Sequence, residues 1–331
     1  MNIIVLGGAG YCGSRLVPQL LSFGYKVTVF DTFWFGKDFL PTRSPNLRLV
    51  EGDIRDTQRL KREFKDQFAI VNLACISNDA SFELDEDLST SVNFDAFEPM
   101  VIAAKQSNVR KFIYASSSSV YGVSEALDVT EEHPLVPLTL YNKYKGMCEP
   151  LLKKHLDENF VGVIFRPATV CGFAPRQRLD LSVNILTNLA INSRKITVFG
   201  GSQMRPNLHI QDYCDVIKKF LTVDESLIQG ETFNVGYQNL TILEIAQMVK
   251  KIVEKEFPGP EIEIEISYST DNRSYHINSD KIKKVLGFVP RYTIEDAINE
   301  ICAAFKNNLL PNSISDEKYF NVKLLKSIKV K

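Results

Sequence analysis

Short apolar runs alternate with longer amphipathic stretches along the first half of the chain. The apolar runs, rich in Val, Ile, Leu and Phe, predict buried strands at 2–6, 26–30, 47–50, 69–74, 111–116 and 161–166. The stretches with helical periodicity are 11–23, 56–66, 93–107 and 141–156. Buried strands separated by helices indicate a parallel sheet covered on both faces. The pattern therefore predicts an α/β fold with a doubly wound parallel sheet of the Rossmann type.

From about residue 170 the pattern becomes mixed and predicts a smaller α/β lobe. The expected helices are 180–192, 211–222, 241–255, 279–286 and 293–306, and the expected strands are 195–200 and 261–266. We expect a first domain over 1–170, to which some later segments return, and a ligand-binding lobe over 171–306. The remaining residues, 307–331, are rich in lysine and predict a solvated tail, with an edge strand or a partner contact as the alternative.

Composition excludes several classes of function. Among 331 residues, 39 Lys and Arg nearly balance 40 Asp and Glu, so no overall field favours nucleic acid or an anionic membrane. Any anionic ligand must therefore be bound by local arginines. The six cysteines form no CxxC pair, which suits free thiols in a reducing cytosol and argues against a metal site. With no apolar run long enough to span a bilayer, we expect a cytoplasmic protein.

The segment "VLGGAGYCGSRL" joins the first strand to the first helix. Gly7, Gly10 and Gly13 have GxxGxxG spacing, with Tyr11 and Cys12 between the last two. Glycine permits the tight turn and lets the backbone approach a pyrophosphate, which the N–H groups of the helix N-terminus then bind. The position between a strand and a helix is the context that supports a dinucleotide site.

Acidic residues follow the second and third strands. Asp31 closes the second strand, where a carboxylate can bind ribose hydroxyls and would repel a 2′-phosphate, which favours NAD over NADP. In isolation it would be an ordinary aspartate at a strand end. Asp53 and Ile54, in "GDIRD", are candidates for contacts around the adenine, and N-capping of the next helix by Asp53 explains the motif equally well.

Tyr141 and Lys145 lie four residues apart in a predicted helix, so they share one face. Pro137 and Thr139 favour a helix start just before them. A cation beside a phenol lowers its pKa, and a positively charged oxidised nicotinamide adds to this effect, so Tyr141 could act as a base. The alternative is an ordinary solvated helix face, and Lys143 should point elsewhere in either case.

Four serines, 116–119, end the fifth strand in "FIYASSSSVYG". Ligands bind at the carboxyl ends of strands in this fold, so a hydroxyl here is well placed to bind a substrate oxygen. The residues alone do not say which serine does so. A polar loop that caps a turn is the alternative explanation.

Together these motifs resemble the extended short-chain dehydrogenase/reductase family, in particular nucleotide-sugar epimerases and dehydratases of the UDP-galactose 4-epimerase type. Its motifs here are the glycine loop, Asp31, "NLAC", "SVN", "SSSSVYG" and Tyr141-x-x-x-Lys145. Others in the second half are "RPATVCG", "GGSQMRPNLHIQD", "FNVG" and "DNRSYHINSDKIKKVLGFVP". The resemblance covers about 1–306 and leaves only the tail outside it.

The resemblance implies roles for individual residues. Tyr141 would be the base, Lys145 its partner and a nicotinamide-ribose ligand, and Ser117 the catalytic hydroxyl, three positions before Val120. Further cofactor contacts would come from Leu73, Ala74 and Asn93. The implied substrate ligands are Ser77, Asn78, Ser118, Thr169, Arg176, Arg178, Arg205 and Arg273, of which Arg205 and Arg273 would bind the substrate diphosphate.

The implied reaction begins with oxidation at C4 of a nucleotide-diphosphate sugar by NAD, and a 4-epimerase is the first expectation. A C4 dehydrogenase or ketoreductase, including one acting on heptoses, is the alternative, because "PRQRLDLSVN" resembles a branch of the family with that activity. A 4,6-dehydratase is disfavoured because Ser118 and Ser119 occupy the positions of its Asp-Glu pair. A non-catalytic NAD(H) sensor is disfavoured because the tyrosine, lysine and serine are all kept. The family also implies a homodimer through 93–107 and 141–156.

Overall fold

The computed structural model describes residues 1–328 except 125, 127, 269–273 and 275. The strands are β1 (Asn2–Leu6), β2 (Lys26–Asp31), β3 (Leu47–Glu51), β4 (Ala69–Asn72), β5 (Lys111–Ala115), β6 (Val161–Pro167), β7 (Thr169–Cys171), β8 (Lys195–Phe199), β9 (Met204–His209), β10 (Thr232–Val235), β11 (Gln238–Thr241) and β12 (Glu263–Ser267). The α-helices are α1 (Tyr11–Ser22), α2 (Thr57–Phe64), α3 (Asp79–Phe82), α4 (Glu86–Thr90), α5 (Phe97–Gln106), α6 (Leu140–Lys153), α7 (Ser182–Ser193), α8 (Ile210–Thr222), α9 (Ile242–Glu256), α10 (Asp280–Leu286), α11 (Ile294–Lys306) and α12 (Asn321–Ile328).

A seven-stranded parallel sheet in the order β10-β6-β5-β4-β1-β2-β3 confirms the predicted doubly wound fold. Successive side chains of a strand point to opposite faces. Ile3 and Val5 of β1 accordingly pack in one apolar layer, and Ile4 and Leu6 pack in the other. The strand order reverses between β1 and β4, and the crevice at such a switch point is where ligands bind in open α/β sheets.

Later segments return to this sheet. β10 pairs with β6, and the buried face of α8, with Ile217 and Phe220, lies in the same apolar layer as Leu16 and Leu20 of α1. The second lobe has a three-stranded sheet, β11-β9-β7, and a parallel pair, β12-β8. Its core lies between α7, α9 and α11. The predicted helix at 93–107 differs at its start, because a π-helical turn at Ser91–Asp95 precedes α5.

The expectation of a solvated tail is wrong for 307–328. The chain forms a 3-10 turn at Glu317–Tyr319 and then α12, whose Asn321 and Leu325 are buried four residues apart on one face. Tyr319 packs in a small apolar cluster with Leu179 and Ile301. Lys323 and Lys326, two of the lysines that suggested a solvated tail, are exposed residues of this helix. No helix in the described ranges is long and apolar enough to cross a bilayer.

Candidate active site

A cavity of about 490 Å³ opens at the carboxyl edge of the seven-stranded sheet, between the two lobes. It brings together most of the residues singled out by sequence. These are Gly7, Gly10, Tyr11, Cys12, Gly13, Asp31, Asp53, Ile54, Leu73, Ala74, Ser77, Asn78, Ser117, Ser118, Tyr141, Lys145, Thr169, Arg176, Arg178 and Arg205.

The glycine loop has no room for side chains. Gly7 has a φ of +74°, and a Cβ there would lie 2.7 Å from the backbone of Ala74. A Cβ on Gly13 would lie 2.5 Å from the carbonyl oxygen of Gly8. Gly10 is the residue before α1 and provides no side-chain cap, which leaves the N–H groups of the first turn available to an anion. The loop therefore has the shape and donors that a dinucleotide pyrophosphate needs.

Asp31 holds this loop in place as well as lining the cavity. Its carboxylate accepts from the backbone N–H groups of Ala9 and Phe33, both at 2.9 Å. Burial raises the pKa of Asp31, and these two N–H groups oppose the rise. Asp53 accepts from the Arg55 backbone at 2.8 Å, and α2 is instead capped by Asp56, so the capping explanation of Asp53 is wrong.

The helix start predicted for Tyr141 and Lys145 is confirmed. α6 begins at Leu140, and the Thr139 hydroxyl accepts from the Asn142 N–H. Lys145 is buried and its Nζ donates to the carbonyl oxygen of Ala115 at 2.8 Å, at the end of β5. A lysine has two further donors, which suit the hydroxyls of a ribose.

The expected lowering of the Tyr141 pKa by Lys145 is not what the structure shows. Burial raises the pKa of the phenol well above its ordinary value, and Cys75 and Asp79 raise it further. The positive charge that opposes this rise is that of Arg178. Lys143 and Tyr144 do not line the cavity: Lys143 is exposed, and Tyr144 stacks on Phe94 at 4.9 Å between ring centroids.

The four serines have different surroundings. The Ser116 hydroxyl donates to Glu149 at 2.7 Å, and both residues are buried. Ser118 is also buried. The hydroxyls of Ser117 and Ser119 are 2.7 Å apart, and Ser119 is also bonded to Asn142. Ser116 is thus held within the protein, which leaves Ser117 and Ser119 as the hydroxyls that a ligand could share.

Arg176 and Arg178 are 4% and 7% exposed and lie side by side in the cavity wall. Arg178 pairs with Asp180 at 2.8 Å, and Arg176 stacks on the ring of Phe35, 4.0 Å from its centroid. Burial and the neighbouring Arg178 lower the pKa of Arg176, but a guanidinium stays charged at neutral pH. Within the described part of the chain, Arg176 Nε and Arg178 Nη2 have no hydrogen-bond partner.

Two residues expected in the site differ from the rest. Asn93 does not line the cavity; its amide binds both the N–H and the carbonyl of Ile76, at 2.8 and 2.9 Å. It therefore fixes the backbone after β4 rather than facing a ligand. Arg273 lies outside the residues that the structure describes.

The model of the NAD dependent epimerase/dehydratase family matches residues 3–236. This chain belongs to that family. The matched range contains the glycine loop, the serines, Tyr141 and Lys145. The protein is accordingly an enzyme of an NAD-dependent family.

Relatives within the family differ in the reaction named for them. The Low-salt glycan biosynthesis protein Agl12 of Haloferax volcanii is 29% identical over 92% of this chain and 98% of its own length. A UDP-glucose 4-epimerase of Lactobacillus helveticus is 26% identical over 90% and 95%. The structure of DesIV, a dTDP-glucose 4,6-dehydratase of Streptomyces venezuelae, superposes with a TM-score of 0.82 at 24% identity, over 93% of this chain and 98% of DesIV.

For this family member, sequence reasoning missed several cavity residues. Trp34 and Phe35 follow Asp31 in the long loop after β2. An aromatic pair holding the only tryptophan, directly after the proposed ribose ligand, was a usable signal. Asn321 lies in the C-terminal segment, where no local pattern indicated a site.

Proposed function

We propose that this chain oxidises the sugar of a nucleotide-diphosphate sugar at C4 and acts as a 4-epimerase. The observation that carries the proposal is one cavity with the glycine loop and Asp31 at one end and Ser117, Tyr141 and Lys145 at the other. A dinucleotide fits the first end, because Gly7 and Gly13 leave no room for side chains and, among the described residues, the buried nitrogens Arg176 Nε and Arg178 Nη2 lack partners.

In this proposal Tyr141 acts as the phenolate: its oxygen takes the proton of the sugar C4 hydroxyl, directly or through Ser117, and becomes a neutral phenol hydroxyl. NAD, when bound, would accept the hydrogen and electron pair of C4 and return them. Lys145, held by its hydrogen bond to the Ala115 carbonyl oxygen, orients the ribose of the cofactor. Because burial raises the pKa of Tyr141, the phenol needs positive charge nearby to act as a base, and Arg178 supplies some of it.

Epimerisation needs no acid beyond this set, since the 4-keto sugar only has to turn and accept the hydrogen on its other face. Dehydration also needs an acid and a base to eliminate water. The two residues after Ser117 are Ser118 and Ser119, whose hydroxyls cannot serve as carboxylic acids. This supports the 4-epimerase over a 4,6-dehydratase.

A C4 dehydrogenase or ketoreductase is the second candidate, and the segment 175–184 favours it. Arg176, Arg178 and Asp180 form a buried charged wall in the cavity. The segment also resembles a branch of the family that includes heptose C4 oxidation. The nucleotide-sugar class and the use of C4 oxidation are the same in both candidates.

Product analysis separates the two candidates. The purified protein is incubated with a panel of nucleotide sugars and no added cofactor, and the products are identified by NMR. An equilibrium mixture of C4 isomers supports the epimerase. A 4-ketose in amounts equal to the bound cofactor supports the dehydrogenase, and no product from any substrate contradicts both.

Tyr141→Phe tests the assigned base. Removing the hydroxyl should lower kcat by about 10²-fold to 10⁴-fold, as expected for loss of a general base. NAD should still bind, because the phenol ring remains. Lys143→Ala, which changes an exposed residue of the same helix, is the control. Full activity of Tyr141→Phe would contradict the assignment.

A further inference from the structure

The C-terminal segment 317–328 lies beyond the range matched by the family model, yet it enters the cavity. We propose that Asn321 of this segment completes a diphosphate site with Arg176 and Arg178, and that this site holds the diphosphate of the dinucleotide. The inference rests on the proposed use of a dinucleotide, but not on the reaction at C4. It also changes the expectation that the two arginines bind the substrate.

Asn321 is 3% exposed and binds three parts of the cavity wall. Its side-chain oxygen accepts from Arg176 at 2.6 Å, and its side-chain nitrogen donates to the Ser77 hydroxyl at 3.0 Å. Its backbone N–H donates to Asp180 at 2.9 Å. One residue thus ties the segment after β7 to the loop after β4.

The rest of the segment is anchored so that Asn321 keeps this position. The Leu179 N–H donates to the Tyr319 carbonyl at 2.9 Å. Leu325, one turn after Asn321, packs in the apolar layer beneath the main sheet. Asn321 is therefore held from both sides rather than resting on the surface.

The unused guanidinium donors in this wall suit an anion, although the carboxylates of Asp180 and Asp31 both act on Arg176. Two guanidinium groups lie together, with Asp180 as the carboxylate paired to Arg178. Arg178 also donates to the Ser77 hydroxyl at 3.2 Å, and Arg176 donates to the side-chain oxygen of Asn321. Arg176 Nε and Arg178 Nη2 remain without a partner among the described residues, although both are buried. Buried cationic donors are costly unless they are paired, and a diphosphate offers both charge and several acceptors.

The position of the wall favours the cofactor over the nucleotide sugar. The Arg176 backbone N–H donates to the Ser14 hydroxyl at 3.1 Å, in the first turn of α1 after the glycine loop. The Arg176 guanidinium stacks on Phe35, in the loop that follows Asp31. The charge of Arg178 acts on Cys12 of the glycine loop itself. These neighbours belong to the proposed pyrophosphate and ribose end of the cavity, and the charge of Arg178 also acts on Tyr141 toward the catalytic end.

Binding of NAD alone tests the role of Asn321, by calorimetric titration and by the rate of NADH release. Asn321→Ala removes a hydrogen bond to a charged group and leaves Arg176 less well placed, so NAD affinity should fall about tenfold. Lys326→Ala, on the exposed face of the same helix, should leave it unchanged. Equal NAD affinity in Asn321→Ala and the unaltered protein would overturn the proposal.

Asn321→Asp separates a ligand role from mere anchoring of the segment. Aspartate keeps an acceptor for Arg176, so anchoring alone predicts a milder effect than that of alanine. Its negative charge, however, would neutralise Arg176 and repel a diphosphate, so our proposal predicts a larger loss of NAD affinity than in Asn321→Ala. The reverse order would overturn it. Melting temperatures without ligand check that both variants fold.

Arg176→Gln identifies which diphosphate is bound. We expect weaker binding of ADP-ribose, which carries the diphosphate, and unchanged binding of adenosine, which has none. Uridine and thymidine diphosphates, as probes of the nucleotide-sugar site, should bind as before. Loss of these nucleoside diphosphates with unchanged ADP-ribose would assign the arginines to the substrate and overturn the proposal. Because turnover is not measured, NAD binding that depends on Asn321 would stand even if no nucleotide sugar reacts.

Discussion

Two buried arginine clusters near the cavity have opposite hydrogen bonding. Arg166 of β6 is fully engaged by the protein: Glu149 binds Nε and Nη2 at 2.9 and 2.6 Å, and Nη1 donates to Tyr121 and to the carbonyl of Glu131. Arg176 and Arg178 are equally buried but share one paired carboxylate and retain nitrogens without partners in the described structure. Burial alone therefore does not indicate function; the donors left unused inside the protein distinguish a structural arginine from one that awaits a ligand.

The largest expected effect on stability comes from a substitution that disrupts the Arg166 cluster. Arg166→Met leaves Glu149 buried without its cation, which should lower the free energy of unfolding by about 3–5 kcal/mol. Urea denaturation measures the change. Replacing Glu149 as well, with methionine, should recover part of the loss, because no unpaired charge then remains. A loss below about 1 kcal/mol would contradict a structural role for Arg166.

The same substitution in the second cluster should behave differently. Arg176→Met removes a cation that lies beside Arg178, so the ligand-free melting temperature should stay the same or rise. The increase in melting temperature on adding NAD should shrink, because about a tenfold to a hundredfold loss of NAD affinity is expected. A large loss of ligand-free stability would mean that Arg176 is a structural residue like Arg166.

Ser116 and Ser117 differ in the same way as the two arginine clusters: Ser116 is bound within the protein and Ser117 faces the cavity. Ser116 binds Glu149, the partner of Arg166. Ser116→Ala should therefore lower the free energy of unfolding by about 1 kcal/mol and leave kcat nearly unchanged. Ser117→Ala should lower kcat about tenfold to a hundredfold with little effect on stability. Steady-state kinetics and urea denaturation of both variants supply the two readouts. A kcat loss confined to Ser119→Ala would move the assignment to that neighbouring hydroxyl.

The smallest expected effect concerns the acidity of Tyr141. The charge of Arg178 opposes the rise that burial produces, so Arg178→Met should raise the pKa of the phenol further. Adding oxidised NAD to the unaltered protein should lower this pKa, because the nicotinamide is positively charged, whereas NADH should not. Ultraviolet difference titration, with Tyr141→Phe to identify the signal, measures the shift. An unchanged pKa of Tyr141 in Arg178→Met would show that Arg178 does not affect the acidity of the phenol.

Local patterns predicted most of the fold and the cofactor end of the site. The six strands of the first half and the glycine loop depend on residues close together in the chain, where periodicity and glycine spacing are informative. The seventh strand, β10, escaped prediction as a member of the main sheet, since its pairing with β6 depends on contacts between distant parts of the chain.

Long-range contacts also explain the errors in the site. The spacing of Tyr141 and Lys145 was right, but the sign of the phenol pKa shift depends on burial, which the helical pattern does not contain. Ser116 is set aside because it binds Glu149, more than thirty positions away, which no local pattern shows. Asn321 reaches the cavity because distant residues anchor its helix, and the lysines around it gave the opposite impression.

The central claim, that the sugar is oxidised at C4, is tested most directly with nucleotide sugars deuterated at that carbon. The account predicts that the label is found at C4 of the epimerised product or on the reduced cofactor, and that Tyr141→Phe transfers it far more slowly. Label that stays at C4 without inversion for every nucleotide sugar tested, or that is lost to solvent without passing to the cofactor, would contradict the claim.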